Sequence, residues 1–142
     1  YLSGTAFFAD NGQYVINWPQ QNYDNGVAKN NRTGGRYKKI VRVLKRLRDK
    51  MDAEGYIEAK PISSYLIECL VWNVPDDGFK SEEYVSNVRY ALAHLFNETL
   101  SLEDCEEWGE VNELKYLWNG QPWTLQQAHS FIDSAWDYIG FE

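Results

Sequence analysis

The feature that most constrains the fold is a long run in which apolar residues recur at helical spacing. From Gly35 to Ala53 they return every three or four positions, which places them on one face of an α-helix. Thr33 precedes this run as a plausible N-cap, and Gly55 follows it as a plausible stop. The apolar stripe consists of Tyr37, Ile40, Val41, Leu44, Leu47 and Met51. The sequence therefore predicts one long amphipathic helix against which the other elements pack.

The same region concentrates the positive charge of the chain. Ten of the fourteen lysine and arginine residues fall between positions 29 and 50, where Asp49 is the only acid, although the whole chain has a net charge of −7. Lys38, Arg42 and Lys45 have the spacing i, i+4, i+7 and share one flank of the apolar stripe. A segregated positive surface of this kind indicates a polyanionic partner, either a triphosphate or a nucleic acid strand.

Length and composition indicate a single globular domain without a membrane-spanning helix. A chain of 142 residues with 44% hydrophobic residues can bury a core and form one ordinary domain. No apolar run reaches the roughly 20 residues of a membrane helix, so we expect no membrane partner. Two cysteines without metal-ligand spacing fit a reducing cytoplasm. The C-terminal half is acidic and should repel nucleic acid, so nucleic acid is a disfavoured partner of this chain.

The N-terminal residues have strand and turn signals. Residues 5–18 contain two β-prone runs around Asp10-Asn11-Gly12, which predicts a β-hairpin. Residues 20–35 are rich in Gln, Asn and Gly and are predicted to form an irregular loop.

Three more helices follow the long one. The second is expected from Pro61 or Ser63 to about Val74, and the third after Ser81. The last should run from Thr124, where Gln127 completes a capping box, to Gly140. The predicted fold class is α+β, mostly α, with an N-terminal hairpin followed by a helical bundle.

One group of residues has the composition of an anion site. Ser63 and Ser64 lie where a helix begins, and the free N–H groups of a helix start attract phosphate. Antiparallel packing of the two helices would bring Lys45 close to Ser64, and Tyr65 could stack on a base. The alternative is that Ser63 is only a cap, Tyr65 belongs to the core and Lys45 is a solvated charge. The residues alone favour this structural interpretation.

The acidic residues do not form a recognisable catalytic centre. They lie mostly in predicted turns and first helical turns, and the chain contains no Asp-x-Asp. Metal-dependent phosphoryl transfer needs two or three carboxylates on rigid elements. We therefore expect no catalytic residue and no metal ligand in this chain.

Two motifs together resemble a known family. The first extends from Ile16-Asn17-Trp18-Pro19 through Asn25-Gly26 and Lys29-Asn30 to Val41-Arg42-x-x-Lys45, and the second is Ile62-Ser63-Ser64-Tyr65. This pattern resembles the cGAS/DncV-like nucleotidyltransferases (CD-NTases) of bacterial anti-phage signalling, and it is similar to oligoadenylate synthase and cyclic GMP-AMP synthase. The family joins nucleoside triphosphates into cyclic oligonucleotides with magnesium.

The resemblance implies roles for individual residues. Lys45 corresponds to the family's triphosphate-binding lysine, Ser64 to a serine that reaches phosphate, and Tyr65 to the tyrosine that stacks on a base. Arg42 would support the phosphates, and Lys38 matches a further basic position. Together these five residues are expected to bind a nucleotide such as ATP. The resemblance therefore favours a nucleotide-binding site over the purely structural interpretation of Lys45 and Tyr65.

The chain also departs from the family. Those enzymes place a Gly-Ser motif, an Asp-x-Asp pair and a third acid on a sheet, and none of these is present here. The resemblance implies that residues 1–32 complete a nucleotidyltransferase core and that 33–142 form its C-terminal helical domain. Magnesium and the chemistry would then belong to an N-terminal catalytic half, and this chain alone would be inactive. The alternatives are a non-catalytic nucleotide-binding, RNA-binding or partner-docking module, and a structural domain whose basic face docks on its own acidic half.

Overall fold

The computed structural model describes residues 5–8, 14–17 and 19–141. Strands β1 (Thr5–Phe8) and β2 (Tyr14–Asn17) pair antiparallel, with Thr5 opposite Asn17 and Phe8 opposite Tyr14. The turn predicted at Asp10-Asn11-Gly12 lies outside the described residues. That these strands form the edge of a larger nucleotidyltransferase sheet stays a prediction.

Most of the rest of the described chain is helical, which confirms the mostly α class, and residues 106–124 form turns. Short 3₁₀ turns at Ile57–Ala59 and Asp76–Phe79 join some of the helices. The described residues form six α-helices: α1 (Pro19–Arg32), α2 (Arg36–Ala53), α3 (Ser64–Trp72), α4 (Tyr84–Glu98), α5 (Leu102–Cys105) and α6 (Leu125–Ile139). None of these helices is long and apolar enough to cross a membrane.

Helix α1 contradicts the prediction of an irregular loop over residues 20–35. Residues 20–32 of this segment belong to the fourteen-residue helix α1, and only the short stretch around Gly34 and Gly35, both with positive φ, is a turn. The sequence of α1 has no apolar stripe, and polar side chains hold this helix against the rest of the protein instead. Asn25 Nδ2 donates to the Val111 carbonyl at 2.8 Å, and Lys29 Nζ donates to the Val74 carbonyl at 2.6 Å.

Helix α2 has the predicted position and the predicted buried face. Tyr37, Ile40, Val41, Leu44 and Met51 are buried, and Leu47 is partly buried against them. The helix starts at Arg36, and its N-cap is Gly35 in the left-handed conformation rather than the predicted Thr33, although the Thr33 hydroxyl accepts the Tyr37 N–H at 3.0 Å. Gly55, with φ of 91°, ends the helix as expected. Helix α2 therefore forms the centre of the core.

Side-chain caps mark the starts of α3 and α6, whereas the N-cap residue of α4, Glu83, makes no such hydrogen bond. The Ser63 hydroxyl accepts the Leu66 N–H at the start of α3, and Thr124 and Gln127 form the predicted capping box of α6. Helix α4 begins only at Tyr84, and Val85 in the first turn of that helix is 51% exposed. Helices α4 and α6 pack on each other, as do α2 and α3, around one continuous core.

Candidate functional site

A cleft of about 360 Å³ opens where α1, α2 and α3 meet. It contains four of the five residues expected to bind nucleotide, and Ser64 is not among its lining. Three residues come from α1, which sequence reasoning had assigned to a loop. The lining consists of Asn22, Tyr23, Gly26, Tyr37, Lys38, Val41, Arg42, Lys45, Tyr65, Glu68 and Val111.

One wall of the cleft is cationic. Lys38, Arg42 and Lys45 lie along the flank of α2 next to its buried stripe, as their spacing predicted. Lys38 and Arg42 are exposed, and within the described residues neither forms an ion pair. Lys45 is half-buried, and its Nζ lies 3.2 Å from Oε1 of Glu68 on α3. The antiparallel juxtaposition expected for the two helices thus brings an acid to Lys45.

Ser64 lies at the start of α3, as predicted, but it is not among the residues that line the cleft. It is the first residue of α3 and is exposed, and its neighbour Ser63 provides the cap by accepting the Leu66 N–H at 3.0 Å. The cap uses one of the free N–H groups of this helix start. A role for Ser64 beside a phosphate therefore stays a prediction.

Tyr65 lines the cleft with its hydroxyl fixed in a polar network. The hydroxyl donates to Oε1 of Glu110 at 2.7 Å, and Oδ1 of Asn22 lies 3.0 Å from it. Burial, followed by the nearby Cys69 and the bond to Glu110, raises the pKa of the Tyr65 phenol. The phenol is therefore neutral at physiological pH, and its single proton is donated to Glu110. Its ring packs 6.3 Å from that of Trp123.

Sequence reasoning missed Glu110 and the residues from α1. Glu110 is one of many acids in the C-terminal half, and no local pattern distinguishes a buried carboxylate from the exposed ones around it. Asn22 and Tyr23 were missed because α1 has no apolar periodicity. The only available signal was the Asn-Gly-x-x-Lys run of the first motif, which spans the anchored part of α1.

Part of the basic segment is used inside the protein, which corrects the expectation of one continuous positive surface. Lys29 is 4% exposed, with its Nζ 3.0 Å from Asp76 and about 5.4 Å from the ring centroids of Trp72 and Phe79. Burial lowers the pKa of Lys29, although Asp76 opposes this. Hydrogen bonds from Arg32 first and then Lys29 hold the pKa of Asp76 below its ordinary value.

The described residues do not fit the magnesium site that the resemblance implies for the complete enzyme. In this part of the chain no group of three or more His, Cys, Asp or Glu residues could hold a metal ion. The two carboxylates nearest the cleft, Glu68 and Glu110, are engaged by Lys45 and Tyr65. What these residues can do is bind an anion and an aromatic ring.

Comparison with known proteins identifies the family. The chain belongs to the family described as the cGAS/DncV-like nucleotidyltransferase C-terminal helical domain, whose family model matches residues 24–140. It is 46% identical over 140 residues to a cyclic dipyrimidine nucleotide synthase CdnE of Legionella pneumophila, covering 98% of this chain and 46% of that protein. A second enzyme with that name, from Cecembia lonarensis, is 37% identical, covering 99% of this chain and 48% of that protein.

Solved structures agree with the sequence matches. The chain aligns with the Elizabethkingia meningoseptica CdnE cyclic dinucleotide synthase, solved with GTP and Apcpp, at a TM-score of 0.89 and 34% identity, covering 97% of this chain and 50% of that one. It also aligns with the Rhodothermus marinus c-UMP-AMP synthase, solved with Apcpp and Upnpp, at a TM-score of 0.84 and 27% identity, covering 100% and 48%. The chain thus spans about half the length of the relatives it matches.

Proposed function

We propose that this chain is the C-terminal helical part of a nucleotidyltransferase that joins nucleoside triphosphates into a cyclic oligonucleotide. In this proposal its cleft binds the triphosphate and the base of one nucleotide. The observation that carries the proposal is that Lys38, Arg42, Lys45 and Tyr65 line a single cleft. Relatives named as cyclic nucleotide synthases, and neighbours solved with nucleoside triphosphates or their analogues, support it.

The cationic wall suits a triphosphate. Lys38 and Lys45 are seven positions apart, so they lie about 10 Å apart along the axis of α2. Charges arranged along a line can contact a row of phosphate groups, and Arg42 between them can bind phosphate oxygens with two parallel bonds. Lys45 next to Glu68 would bind the phosphate that lies deepest, since its side chain is more buried than those of Lys38 and Arg42.

The aromatic side of the cleft suits a base. Tyr65 and Tyr23 both line it, and a base stacked on an aromatic ring gains about 1–3 kcal/mol whatever its identity. Tyr23 is 66% exposed, so its ring can contact a ligand without any rearrangement of the core. The cleft therefore provides a charged site for phosphates and a flat apolar site for a base, close together.

The division of labour follows from these side chains. This chain would orient a nucleotide and neutralise its charge, which is a positioning and electrostatic contribution to catalysis. The acids that bind magnesium and activate the hydroxyl would belong to the half of such enzymes that this chain does not span. Residues 1–32 would complete that core and 33–142 would form the helical domain. Anti-phage signalling in the cytoplasm is the context that the resemblance supports.

Nucleotide binding to the chain tests the proposal. The six tryptophans allow titration by fluorescence with ATP, GTP, UTP and CTP in the presence of magnesium. Lys45→Ala and Arg42→Ala should each weaken binding by on the order of 1–3 kcal/mol. Lys50→Ala is the matched control, since it removes one positive charge from the same helix at an exposed position that does not line the cleft. Equal effects of Lys45→Ala and Lys50→Ala would contradict the proposal.

A second candidate function has its own observation. A groove of about 530 Å³ further round α2, which shares Arg42 with the cleft, is lined by Lys39, Val43, Arg46 and Tyr84, with Lys39 Nζ 5.1 Å from the Tyr84 ring centroid. Cations next to an aromatic ring are the elements of single-strand RNA binding. RNA binding that Arg46→Ala reduces, together with nucleotide binding that Lys45→Ala leaves unchanged, would favour this function over the first.

A further inference from the structure

Glu110 is a buried carboxylate that takes part in no function described so far. Glu110 is 4% exposed. It begins a tight turn in which its backbone N–H donates a hydrogen bond to the Lys115 carbonyl at 2.9 Å. The turn is closed by Oδ1 of Asn112, which accepts the N–H groups of Leu114 and Lys115 at 2.7 and 3.1 Å. The backbone around the carboxylate is therefore held independently of the carboxylate itself.

The carboxylate is surrounded by donors. Tyr65 donates its hydroxyl to Oε1 at 2.7 Å, and Asn112 Nδ2 donates to the same oxygen at 3.2 Å. Gln121 donates to Oε2, and Lys115 Nζ lies 3.7 Å from that oxygen. Burying an ionised carboxylate is costly unless such partners compensate it. Of these partners, only Tyr65 lines the cleft.

The geometry limits where the Tyr65 ring can lie. A phenol has one proton, so it donates to the nearer and charged Glu110, while Asn22 of α1 lies on its other side at 3.0 Å. The hydroxyl is thus tied to the 109–121 turn by its bond to Glu110 and by Asn112 Nδ2, which donates to it at 3.4 Å, and these bonds hold the ring. Glu110 itself does not line the cleft, so any effect it has on a ligand must pass through Tyr65.

We propose that Glu110 is a positioning residue for base binding, which holds the Tyr65 ring in the orientation that receives the base. This inference rests on the proposed function, because it assumes that the cleft binds a nucleotide. A ring fixed before the ligand arrives loses less freedom on binding, so the affinity is higher. The effect should depend on the base, since the phosphates contact α2 rather than Tyr65.

The test compares a ligand that has a base with one that lacks it. UTP and inorganic triphosphate are titrated, without added metal, against the full chain and its Glu110→Ala, Tyr65→Phe and doubly substituted variants. Each single substitution should weaken UTP binding about tenfold, the effect of losing one hydrogen bond to a charged group. Inorganic triphosphate binding should stay within about twofold of the parent. The double variant should match the single ones, because both changes remove the same bond.

Glu113→Ala is the control, since it removes an exposed acid from the same turn and should leave both titrations unchanged. Equal weakening of UTP and triphosphate by Glu110→Ala would mean that Glu110 only stabilises the turn, and additive effects in the double variant would mean that it acts apart from Tyr65. Either result overturns the inference. Tyr65→Phe tests the same bond if Glu110→Ala does not fold.

Failure of the underlying function has a different signature. If the parent chain binds neither probe, or if Lys45→Ala does not weaken triphosphate binding, the cleft is not a nucleotide site and the inference falls with it. Triphosphate binding that depends on Lys45 but UTP binding that is insensitive to Glu110 refutes only the inference.

Discussion

Glu68 places a negative charge next to the cation that would bind the deepest phosphate. Its Oε1 lies 3.2 Å from Lys45 Nζ, and the two side chains are 40% and 30% exposed. In the empty cleft this acid compensates the lysine, and in the occupied cleft it repels the phosphate. We therefore expect Glu68→Gln, which keeps the size of the side chain, to raise the affinity for inorganic triphosphate.

The size of the gain follows from Coulomb's law. A phosphate oxygen that accepts a bond of about 2.8 Å from Lys45 lies no more than about 6 Å from Glu68 Oε1. At the dielectric constant of water, two unit charges at that distance repel by about 0.7 kcal/mol. A terminal phosphate with about two negative charges then gives ~1.4 kcal/mol, or about tenfold in affinity. Glu68→Gln also removes the half-exposed ion pair with Lys45, which contributes only about 0–1 kcal/mol to the stability of the fold.

Calorimetric titration with triphosphate at two salt concentrations measures this effect. The gain for Glu68→Gln should be largest at low salt and should shrink toward 1 M, where the Debye length is about 3 Å. Glu103→Gln is the matched control, since it removes an exposed acid on α5 that does not line the cleft. In the Lys45→Ala background, Glu68→Gln should still raise the affinity, because the repulsion is between Glu68 and the phosphate.

A fall in affinity for Glu68→Gln would refute this reasoning. It would mean that the carboxylate orients Lys45 for binding and that this orientation outweighs the repulsion. An equal gain from Glu103→Gln would mean that only the net charge of the chain matters.

Three further predictions concern the described fold. Burial raises the pKa of Cys69 to about 12 and also raises that of Cys105, so neither thiol should react with a disulfide reagent until denaturant unfolds the chain. Gly78→Ala should lower the free energy of unfolding by about 1–3 kcal/mol, because a Cβ there would overlap the ring of Tyr90. The pKa of Asp76 is lowered in the folded chain, so its contribution to stability is present above pH 3.8 and is lost below it; the stabilities of the parent and Asp76→Asn should converge in acid.

Each of these has a clear contrary result. Labelling of either cysteine in the native chain would mean that the core opens locally. Gly109→Ala is the control for position 78, since a Cβ there would meet nothing closer than 3.6 Å, and equal losses at both glycines would exclude the clash as the cause. A stability difference between parent and Asp76→Asn that does not shrink as the pH falls below 3.8 would show that the loss is one of packing.

Local patterns were enough to predict the cationic wall of the site. The apolar stripe of α2 determines which face is buried, and the 100° per residue of a helix then fixes where Lys38, Arg42 and Lys45 lie relative to it. The start of α3 was equally predictable, because Ser63 is a strong cap followed by a continuous apolar run. The position of Tyr65 at the cleft follows from these two helices packing together.

The acids of the site could not be predicted in the same way. Glu110 is 45 residues from Tyr65 along the chain, and its burial depends on a turn that no local sequence pattern predicts. Glu68 lies on a predicted helix, but its pairing with Lys45 depends on the rotation of α3 about its own axis. Contacts between distant residues are set by packing, and a single sequence gives no direct measure of them.

Helix α1 shows why the basic segment was misjudged. An amphipathic helix is recognised by the apolar residues it buries, whereas α1 buries Gly26 and Lys29. The lysine is compensated by the Val74 carbonyl and Asp76, and aromatic rings surround it. A charge used in this way anchors the helix that forms one wall of the cleft, and it is not available to a ligand. The charge on α2 is available because its apolar stripe already holds that helix in the core.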